Sequence, residues 1–293
     1  MFKILEKRNI ANNIYLLRIE APRVAASAKP GQFVIVRCDE QGERIPLTIA
    51  DYSASEGWVT IVIQTLGVST TKICELEAGD YLADFAGPLG QPSEFIHEDL
   101  EELRKKRILF VAGGVGAAPV YPQVKWLHEN GVAADVIIGA KNKDLLIYTE
   151  EMEKVAANLY ITTDDGSAGF KGLVTEQIKN LVEQGIKYNT CVAIGPMIMM
   201  KFVSLTTKGF EIPTIVSLNT LMVDGTGMCG ACRVSVGGKT RFTCVDGPEF
   251  DGHQVDYDEA MRRLGMYRSV EHRAMEIEAE RKAGHKCRIG LDK

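Results

Sequence analysis

Three cysteines and one aspartate lie close together in a glycine-rich stretch near the end of the chain. Asp224 is followed by Cys229 and Cys232, and Cys244 comes later in the same stretch. A C-x2-C pair can hold one iron, and glycines let the backbone wrap closely around an inorganic core. The spacing D-x4-C-x2-C…C matches the plant-type [2Fe–2S] pattern, with Asp224 in place of the first cysteine. Because ferric iron accepts carboxylate oxygen, the sequence predicts a [2Fe–2S] cluster held by these four side chains.

The same residues leave other chemistries open. A zinc ion could take three thiolates and a carboxylate, although structural zinc sites usually combine two C-x2-C-like units and this chain has one. A disulfide framework fits less well, because the remaining cysteines are scattered singly. Asp246, two residues after Cys244, is the alternative fourth ligand.

A second glycine-rich segment follows an apolar run and opens a predicted helix. In Gly113-Gly114-Val115-Gly116, small residues would let a pyrophosphate approach backbone N–H groups at the positive end of a helix. The segment is not a strict G-x-G-x-x-G, so a purely structural turn is the alternative. Ligands of open α/β sheets collect at the carboxyl ends of the strands, and loops at other predicted strand ends support a nucleotide site. These loops contribute Lys141, Asp164, Asp165, Gly195, Pro196 and Met197. Lys141 could face a 2′-phosphate or solvent, which leaves NAD and NADP both open.

The amino-terminal part contains another candidate nucleotide site. Arg44 suits a bidentate contact with a diphosphate, and Thr48 could donate to a flavin ring nitrogen. N–H groups at the predicted helix start around Ser69 could bind the same diphosphate. Each feature alone could be a surface charge or a plain turn, and their order along the chain favours a flavin site through the family resemblance given below. The residues predicted for it are Arg44, Pro46, Leu47, Thr48, Gln64, Gly67, Ser69, Thr70 and Gly87.

The elements that must position these residues divide the chain into four parts. Residues 1–98 alternate in the strand manner between turns, which predicts an antiparallel β-barrel with one short helix at 69–76 that Ser69 caps. Residues 99–217 alternate buried strands with helices, which predicts a parallel α/β sheet. Residues 218–250 form the cluster segment. The charged, mostly helical tail at 251–293 has only a thin apolar stripe, so we expect it to cover the cluster or to dock on a partner.

The apolar runs give the expected bounds of the main elements. Strands are predicted at 14–19, 32–37 and 58–64 in the barrel, and at 107–112, 134–139, 159–163, 190–195 and 213–218 in the α/β part. Helices are predicted around 149–157, 171–184 and 197–208.

Composition narrows the class of protein. The chain has 293 residues, 45% hydrophobic and 25% charged, as in ordinary globular proteins. A formal net charge of -5 gives no reason to expect nucleic acid as a partner. The charged amino terminus lacks the apolar core of a signal peptide, and no apolar run is long enough to span a membrane. Clustered cysteines fit a reducing compartment, so we expect a cytoplasmic protein.

The order of the motifs resembles the ferredoxin–NADP reductase superfamily over roughly residues 1–217. The resemblance rests on R-x-P-L-T at Arg44–Thr48, followed by G-x-S-T, G-P-L-G, G-G-V-G and G-P-M. It implies that the barrel holds FAD and that the α/β domain binds a nicotinamide nucleotide. Leu47 departs from the pattern, because many of these reductases have a flavin-stacking tyrosine there. The flavin face near Leu47 is therefore expected to be covered by another group or by a partner.

The cysteine segment resembles the electron-transfer subunits of dihydroorotate dehydrogenase type B and their relatives. Those dihydroorotate subunits use four cysteines, whereas M-V-D-G-T-G-M-C-G-A-C-R around Asp224 and the later C-V-D-G-P-E-F-D-G are similar to small subunits of NADH-dependent reduced ferredoxin:NADP+ oxidoreductases, also called sulfide dehydrogenases. The resemblance implies an oxidoreductase subunit that passes electrons between NAD(H), FAD and the cluster, with no catalytic side chain beyond the cofactors.

This resemblance also implies a heterodimer. The partner would be a large subunit with flavin and iron–sulfur groups, through which ferredoxin and NADP(H) react and in which electron bifurcation takes place. Two alternatives stay open at this point, namely an electron-transfer subunit of dihydroorotate dehydrogenase type B and a flavin and iron–sulfur redox sensor.

Overall fold

A computed structural model describes residues 1–288, so the end of the predicted tail, residues 289–293, lies outside the described part. Residues 2–89 form a seven-stranded antiparallel sheet that curves into a nearly closed barrel. Its strands are β1 (Phe2–Ala11), β2 (Ile14–Glu20), β3 (Phe33–Arg37), β4 (Ile45–Ser53), β5 (Trp58–Gln64), β6 (Tyr81–Leu82) and β7 (Asp84–Leu89). Their order in the sheet is β6-β1-β2-β5-β4-β3-β7. The predicted barrel and its three predicted strands are confirmed.

The barrel closes over aliphatic side chains that alternate with outward-facing ones. Ile19, Val34 and Ile61 are fully buried in its interior, as expected for β-branched residues on a pleated, half-buried surface. A short helix, α1 (Pro22–Ser27), connects β2 to β3. Between β5 and β6 lies the second helix, α2 (Val68–Glu75).

The start of α2 differs from the prediction. Gly67 is the N-cap, with extended backbone angles, and Ser69 lies inside the first turn. The hydroxyl of Thr70 accepts hydrogen bonds from the N–H groups of Leu66 and Gly67, each at 3.0 Å. Thr70 therefore orders the chain before the helix, and the prediction that Ser69 caps it is wrong.

A short connection leads from the barrel to the second domain. It consists of a 3-10 turn (Glu94–His97) and α3 (Leu100–Leu103). The carboxylate of Asp99 caps α3 by accepting hydrogen bonds from the N–H groups of Glu101 and Glu102.

The second domain is a parallel sheet with helices on both faces. Its strands are β8 (Ile108–Gly113), β9 (Ala134–Ala140), β10 (Asn158–Thr163), β11 (Phe170–Lys171), β12 (Thr190–Ile194) and β13 (Thr214–Ser217). Its helices are α4 (Ala117–Glu129), α5 (Thr149–Glu153), α6 (Val174–Glu183) and α7 (Met197–Gly209). Every residue of β8 is buried, as expected for a strand covered on both faces. The predicted α/β domain is confirmed.

The last part of the chain extends this sheet and then turns helical. A hairpin of β14 (Arg233–Val236) and β15 (Lys239–Phe242) precedes α8 (Thr243–Asp246), and β16 (Glu249–Asp251) then pairs antiparallel with β13. The sheet order is β11-β10-β9-β8-β12-β13-β16. Two helices follow, α9 (Tyr257–Leu264) and α10 (Arg268–Arg288). Strand β16 crosses the predicted segment boundary at residue 250.

The two tail helices have different environments. Tyr257 and Ala260 of α9 are buried against the α/β domain. Helix α10 reaches the barrel, where the Lys282 ammonium lies 2.6 Å from the Glu75 carboxylate at the end of α2. No helix in the described residues has the length and apolar character needed to cross a bilayer.

Candidate cofactor sites

The four predicted cluster ligands form two pairs, although Asp224, Cys229 and Cys232 precede the β14–β15 hairpin and Cys244 lies on α8 after it. The Cys229 thiol donates a hydrogen bond to Asp224 Oδ1 at 3.0 Å, and the sulfur atoms of Cys232 and Cys244 are 3.2 Å apart. The latter pair is too far apart for a disulfide bond. In the described part of the chain, no three or more His, Cys, Asp or Glu side chains are grouped to hold one metal ion. The two cysteines of the C-x2-C unit thus belong to different pairs, whereas the spacing alone suggested that they hold one iron together. Two pairs suit a two-iron cluster, with two protein ligands per iron, better than a single zinc ion.

The loop keeps Asp224 ionised. Its carboxylate accepts hydrogen bonds from the Cys229 thiol, from the Met228 N–H at 2.9 Å and from the Thr226 hydroxyl at 3.0 Å. These bonds, led by that from Cys229, hold the pKa of Asp224 well below its usual range despite some desolvation. An ionised carboxylate is the form that ligates iron.

The second pair has the opposite environment. Cys232 and Cys244 are almost completely buried, and burial is the main cause that raises the pKa of the Cys244 thiol. A buried thiol becomes a thiolate when a metal cation compensates its charge. These donors therefore fit an iron–sulfur cluster.

The alternative ligand Asp246 is engaged elsewhere. Its carboxylate accepts a 2.7 Å hydrogen bond from the Phe242 N–H and lies 3.9 Å from the Arg241 guanidinium. These contacts stabilise the turn into α8, so the geometry favours Asp224 over Asp246.

The cluster segment packs directly against the barrel. Phe33 and Ile35 of β3 share a buried cluster of side chains with Met222, Cys232 and Cys244. Opposite this contact, β3 pairs with β4, where Ile35 faces Pro46. The predicted cluster segment therefore packs on the strand that neighbours Pro46, Leu47 and Thr48 of the predicted flavin motif.

The structure brings the predicted flavin residues onto neighbouring strands. Pro46, Leu47 and Thr48 lie on β4, and each is half-buried. Gln64 ends the adjacent β5 and Gly67 caps α2, while Gly87 lies on β7 at the other side of β3. A Cβ atom at Gly67 would meet nothing within 4 Å, so the start of α2 is open to a ligand, as a diphosphate at a helix N-terminus requires.

Two polar contacts near this motif are not visible in the sequence. Arg44 donates through Nε to the carbonyl of Val223 at 2.8 Å, which connects the barrel to the cluster loop. The Ser69 hydroxyl donates to the Glu43 carboxylate. Both contacts join residues that are distant in the sequence. For Glu43, its position directly before R-x-P-L-T was the one feature of the sequence that could have indicated a role near the flavin motif. The diphosphate role of Arg44 and Ser69 stays a prediction.

The glycines of the nicotinamide loop have two different roles, namely close packing and access for a ligand. A side chain at Gly113 would overlap Met199, so this glycine lets the end of β8 pack closely on α7. A side chain at Gly116 would overlap the carbonyl of Ile194, so this glycine lets the turn before α4 pack closely on the end of β12. Gly114 has a φ of +54° and nothing within 4 Å of its Cβ position. A pyrophosphate can therefore approach the backbone at Gly114, next to the start of α4.

The supporting loops lie along the same edge of the sheet. Gly195, Pro196 and Met197 follow β12, which lies beside β8 at the point where the strand order reverses. Lys141 and Asp164 follow β9 and β10 on the other side. Asp165 is engaged within its own loop, where it accepts hydrogen bonds from the Ser167 N–H at 2.9 Å and hydroxyl at 2.6 Å. These bonds lower the pKa of Asp165. Ser167 was not singled out in the sequence.

Comparison with known families supports these sites. The iron–sulfur cluster binding domain of dihydroorotate dehydrogenase B matches residues 219–256. The oxidoreductase NAD-binding domain matches residues 110–205. The expected iron–sulfur and NAD-binding parts of the chain are thereby confirmed.

Similar proteins cover almost the whole chain. A Clostridium beijerinckii protein described as an uncharacterized protein in the adh 3′ region is 64% identical, covering 95% of each chain. A Thermotoga maritima homolog of the dihydroorotate dehydrogenase B (NAD(+)) electron transfer subunit is 45% identical, covering 92% of each. A solved structure of an NADH-dependent reduced ferredoxin-NADP oxidoreductase, studied for flavin-based electron bifurcation, is 44% identical with a TM-score of 0.87, covering 95% of this chain and 98% of that one.

Proposed function

Because the chain belongs to the family of electron-transfer subunits related to dihydroorotate dehydrogenase B, we propose that it is the NAD(H)-, FAD- and [2Fe–2S]-binding subunit of a bifurcating ferredoxin:NADP+ oxidoreductase. Its reaction is electron transfer between NAD(H) and the cluster through the flavin. The ferredoxin reductase-like fold and the two matched domains support this function.

The observation that carries the proposal is the packing of the cluster segment on β3, next to the flavin motif on β4. The nicotinamide loop belongs to the domain whose helix α4 packs against β4, and Lys125 of α4 lies 2.9 Å from Asp51 of β4. The three sites therefore follow one another through direct contacts within the chain. Such an order suits electrons that enter at the α/β domain and leave at the cluster.

The residues of this chain bind and orient the groups that react. Bound FAD supplies the conversion between the two electrons of a nicotinamide and the single electrons of a cluster. Arg44 and the start of α2 would bind the flavin diphosphate, and Thr48 would orient the ring. The open backbone at Gly114 would bind the nicotinamide pyrophosphate. Asp224, Cys229, Cys232 and Cys244 would hold the cluster.

The relatives are electron-transfer subunits, so the chain works with a partner subunit. We propose a large subunit with flavin and iron–sulfur groups, through which ferredoxin and NADP(H) react. The surface beside the cluster suits such a partner, because the Met228 side chain next to Cys229 is 88% exposed and Val223 next to Asp224 is 49% exposed. Apolar side chains exposed beside a redox centre are typical of a docking surface.

A second candidate is an electron-transfer subunit of dihydroorotate dehydrogenase type B itself, which the family match at residues 219–256 supports. Asp224 in place of a cysteine and the TM-score of 0.87 to the bifurcating oxidoreductase favour the first candidate.

Co-purification of the native complex distinguishes the two candidates. The proposal predicts a partner subunit with its own flavin and iron–sulfur groups, and NADP+ reduction that requires both NADH and reduced ferredoxin. A partner that oxidises dihydroorotate would contradict it and establish the second candidate.

A further inference from the structure

Glu249 joins three parts of the molecule through one oxygen atom. Its Oε1 accepts a hydrogen bond from the Ser93 hydroxyl and another from the Gln123 side-chain amide, both at 2.9 Å. Ser93 lies just after the barrel, Gln123 lies on α4 of the nucleotide domain, and Glu249 begins β16, five residues after Cys244. These three side chains form the Ser93–Glu249–Gln123 junction.

Each member of the junction is fixed by its own surroundings. Ser93 and Gln123 are fully buried. The Ser93 N–H donates to the carbonyl of Pro30 at 2.9 Å, and a Cβ atom at Gly31 would lie 3.0 Å from Glu249 Oε1. The turn before β3 therefore packs directly against the junction.

The residues just before β16 are also hydrogen bonded to the chain that follows the barrel. The Gln91 N–H donates to the carbonyl of Gly247 at 2.7 Å, and its side-chain amide donates to the carbonyl of Val245 at 2.9 Å. Displacement of Glu249 would therefore be transmitted to α8, which contains Cys244.

The junction differs from ordinary core packing because hydrogen bonds between polar side chains, and not apolar contacts, join its three members. Glu249 is half-buried beside a cavity of about 650 Å³, and its carboxyl group is hydrogen bonded to neutral donors. Gln123 Oε1 has no hydrogen-bond partner among the described residues. An apolar trio of similar volume would stabilise the core at least as well, whereas buried polar contacts that depend on direction can specify one arrangement of the elements they join.

We propose that Glu249 is a positioning residue for electron transfer, because its carboxylate holds the barrel, helix α4 and the cluster segment in the arrangement that lets electrons pass from flavin to cluster. The proposal rests on the proposed function, since it needs both cofactors. Glu249 contacts neither cofactor site directly and acts through Ser93 and Gln123.

The test uses the full-length holoprotein and two rates measured by anaerobic stopped flow. One is the reduction of flavin by NADH, and the other is the subsequent reduction of the cluster. Glu249→Ala removes the acceptor, and Glu249→Gln keeps an oxygen for both donors. Glu94→Gln is the matched control, because Glu94 is exposed and lines the same cavity. Iron, sulfide and FAD contents are measured for each variant.

We expect Glu249→Ala to slow cluster reduction by about tenfold while cofactor contents and flavin reduction stay close to those of the parent. Glu249→Gln should restore the rate, and Glu94→Gln should not change it. A merely structural role would lower cofactor content and both rates together, which would overturn the proposal. An unchanged cluster step in Glu249→Ala, or a Glu249→Gln variant as slow as Glu249→Ala, would also overturn it.

If Glu249→Ala does not fold, Ser93→Ala and Gln123→Met each remove one donor from the junction. Slower cluster reduction in both, with less than additive effects when combined, supports the proposal. Parent-like rates in both overturn it. The parent protein shows separately whether the proposed function fails. In that case its cluster would be absent, or NADH would not reduce it, whatever the variants do.

Discussion

The Nε atom of Arg44 donates a 2.8 Å hydrogen bond to the carbonyl oxygen of Val223, the residue before the proposed ligand Asp224. A second nitrogen of the same guanidinium lies 3.4 Å from the carbonyl of Asp224. Arg44 thus belongs to the flavin motif by sequence and contacts the cluster loop in the fold. A guanidinium has five donors in a planar fork, so one side chain can bind a diphosphate and support the loop together.

Arg44→Lys tests this double role. A lysine ammonium lacks the planar fork, so FAD affinity should fall by about tenfold, and iron should be lost faster during dialysis against a chelator. FAD titration and iron release measure the two effects. Arg37→Lys is the control. Arg37 pairs with Asp84, the same carboxylate that lies 3.9 Å from Arg44, but its guanidinium donates to the carbonyl of Glu40 and not to the cluster loop. Equal effects of both substitutions would show that Arg44 has no special role.

The open backbone at Gly114 gives a test of the nicotinamide site. Gly114→Asp should weaken NADH binding by about tenfold or more, because a carboxylate would repel the pyrophosphate at close range, while FAD content should not change. Calorimetric titration with NADH measures the affinity. Gly185→Asp is a matched control, since Gly185 also has a positive φ and nothing within 4 Å of its Cβ position. Parent-like affinity in Gly114→Asp would place the nucleotide elsewhere.

The ligand assignment is tested by three substitutions. Asp224→Ala should lose or destabilise the cluster, whereas Asp224→Cys should keep a cluster with an altered spectrum and potential, because thiolate donates more electron density than carboxylate. Iron and sulfide assays with electron paramagnetic resonance measure both. Asp246→Ala is the control, and a greater loss of cluster in that variant would identify Asp246 as the ligand.

The raised pKa of Glu249 should make the free energy of unfolding depend on pH. Burial raises the pKa of Glu249 from 4.5 to about 7, while hydrogen bonds from Ser93 and Gln123 oppose that rise. The folded protein therefore holds this proton more tightly than the unfolded chain, so the stabilisation is complete below pH 4.5 and is lost as the pH rises through 7. Relative to Glu249→Gln, the parent should lose about 1–3 kcal/mol of unfolding free energy between pH 5 and pH 8. Urea unfolding at both pH values measures the difference, and a constant difference would contradict it.

Helix α10 is a candidate docking element, because its Val270 and Ile277 side chains are exposed. Truncation after Tyr267 keeps α9, whose Tyr257 and Ala260 are buried, and removes the ion pair between Lys282 and Glu75. We expect weaker binding to the partner subunit and unchanged reduction of flavin by NADH. A pull-down with the large subunit measures the first. Equal binding by the truncated and full-length chains would show that α10 is not a docking element.

Local patterns were sufficient for the elements, whereas the metal ligands that they indicate remain a prediction. The continuous apolar run of β8 and the alternation of β2 and β5 depend on neighbours along the chain, so the strands could be predicted from the sequence. The proposed cluster ligands lie between residues 224 and 244, and their spacing along the chain is the signal for the cluster chemistry.

Contacts between distant segments could not be predicted in this way. The bond from Arg44 to Val223 and the Ser93–Glu249–Gln123 junction join residues that only the packing of separate domains brings together. At the start of α2, the sequence favoured Ser69 as the cap, but the Thr70 hydroxyl binds the preceding N–H groups and shifts the helix start to Val68.

In the proposed function, electrons pass from NADH through the flavin to the cluster within this chain. The most direct measurement is anaerobic reduction of the isolated full-length holoprotein by NADH, followed by optical and electron paramagnetic resonance spectroscopy. We expect one FAD, two irons and two sulfides per chain, bleaching of the flavin, and then the signal of a reduced [2Fe–2S] cluster. Zinc in place of iron, or a flavin that NADH reduces while the cluster stays oxidised, would contradict it.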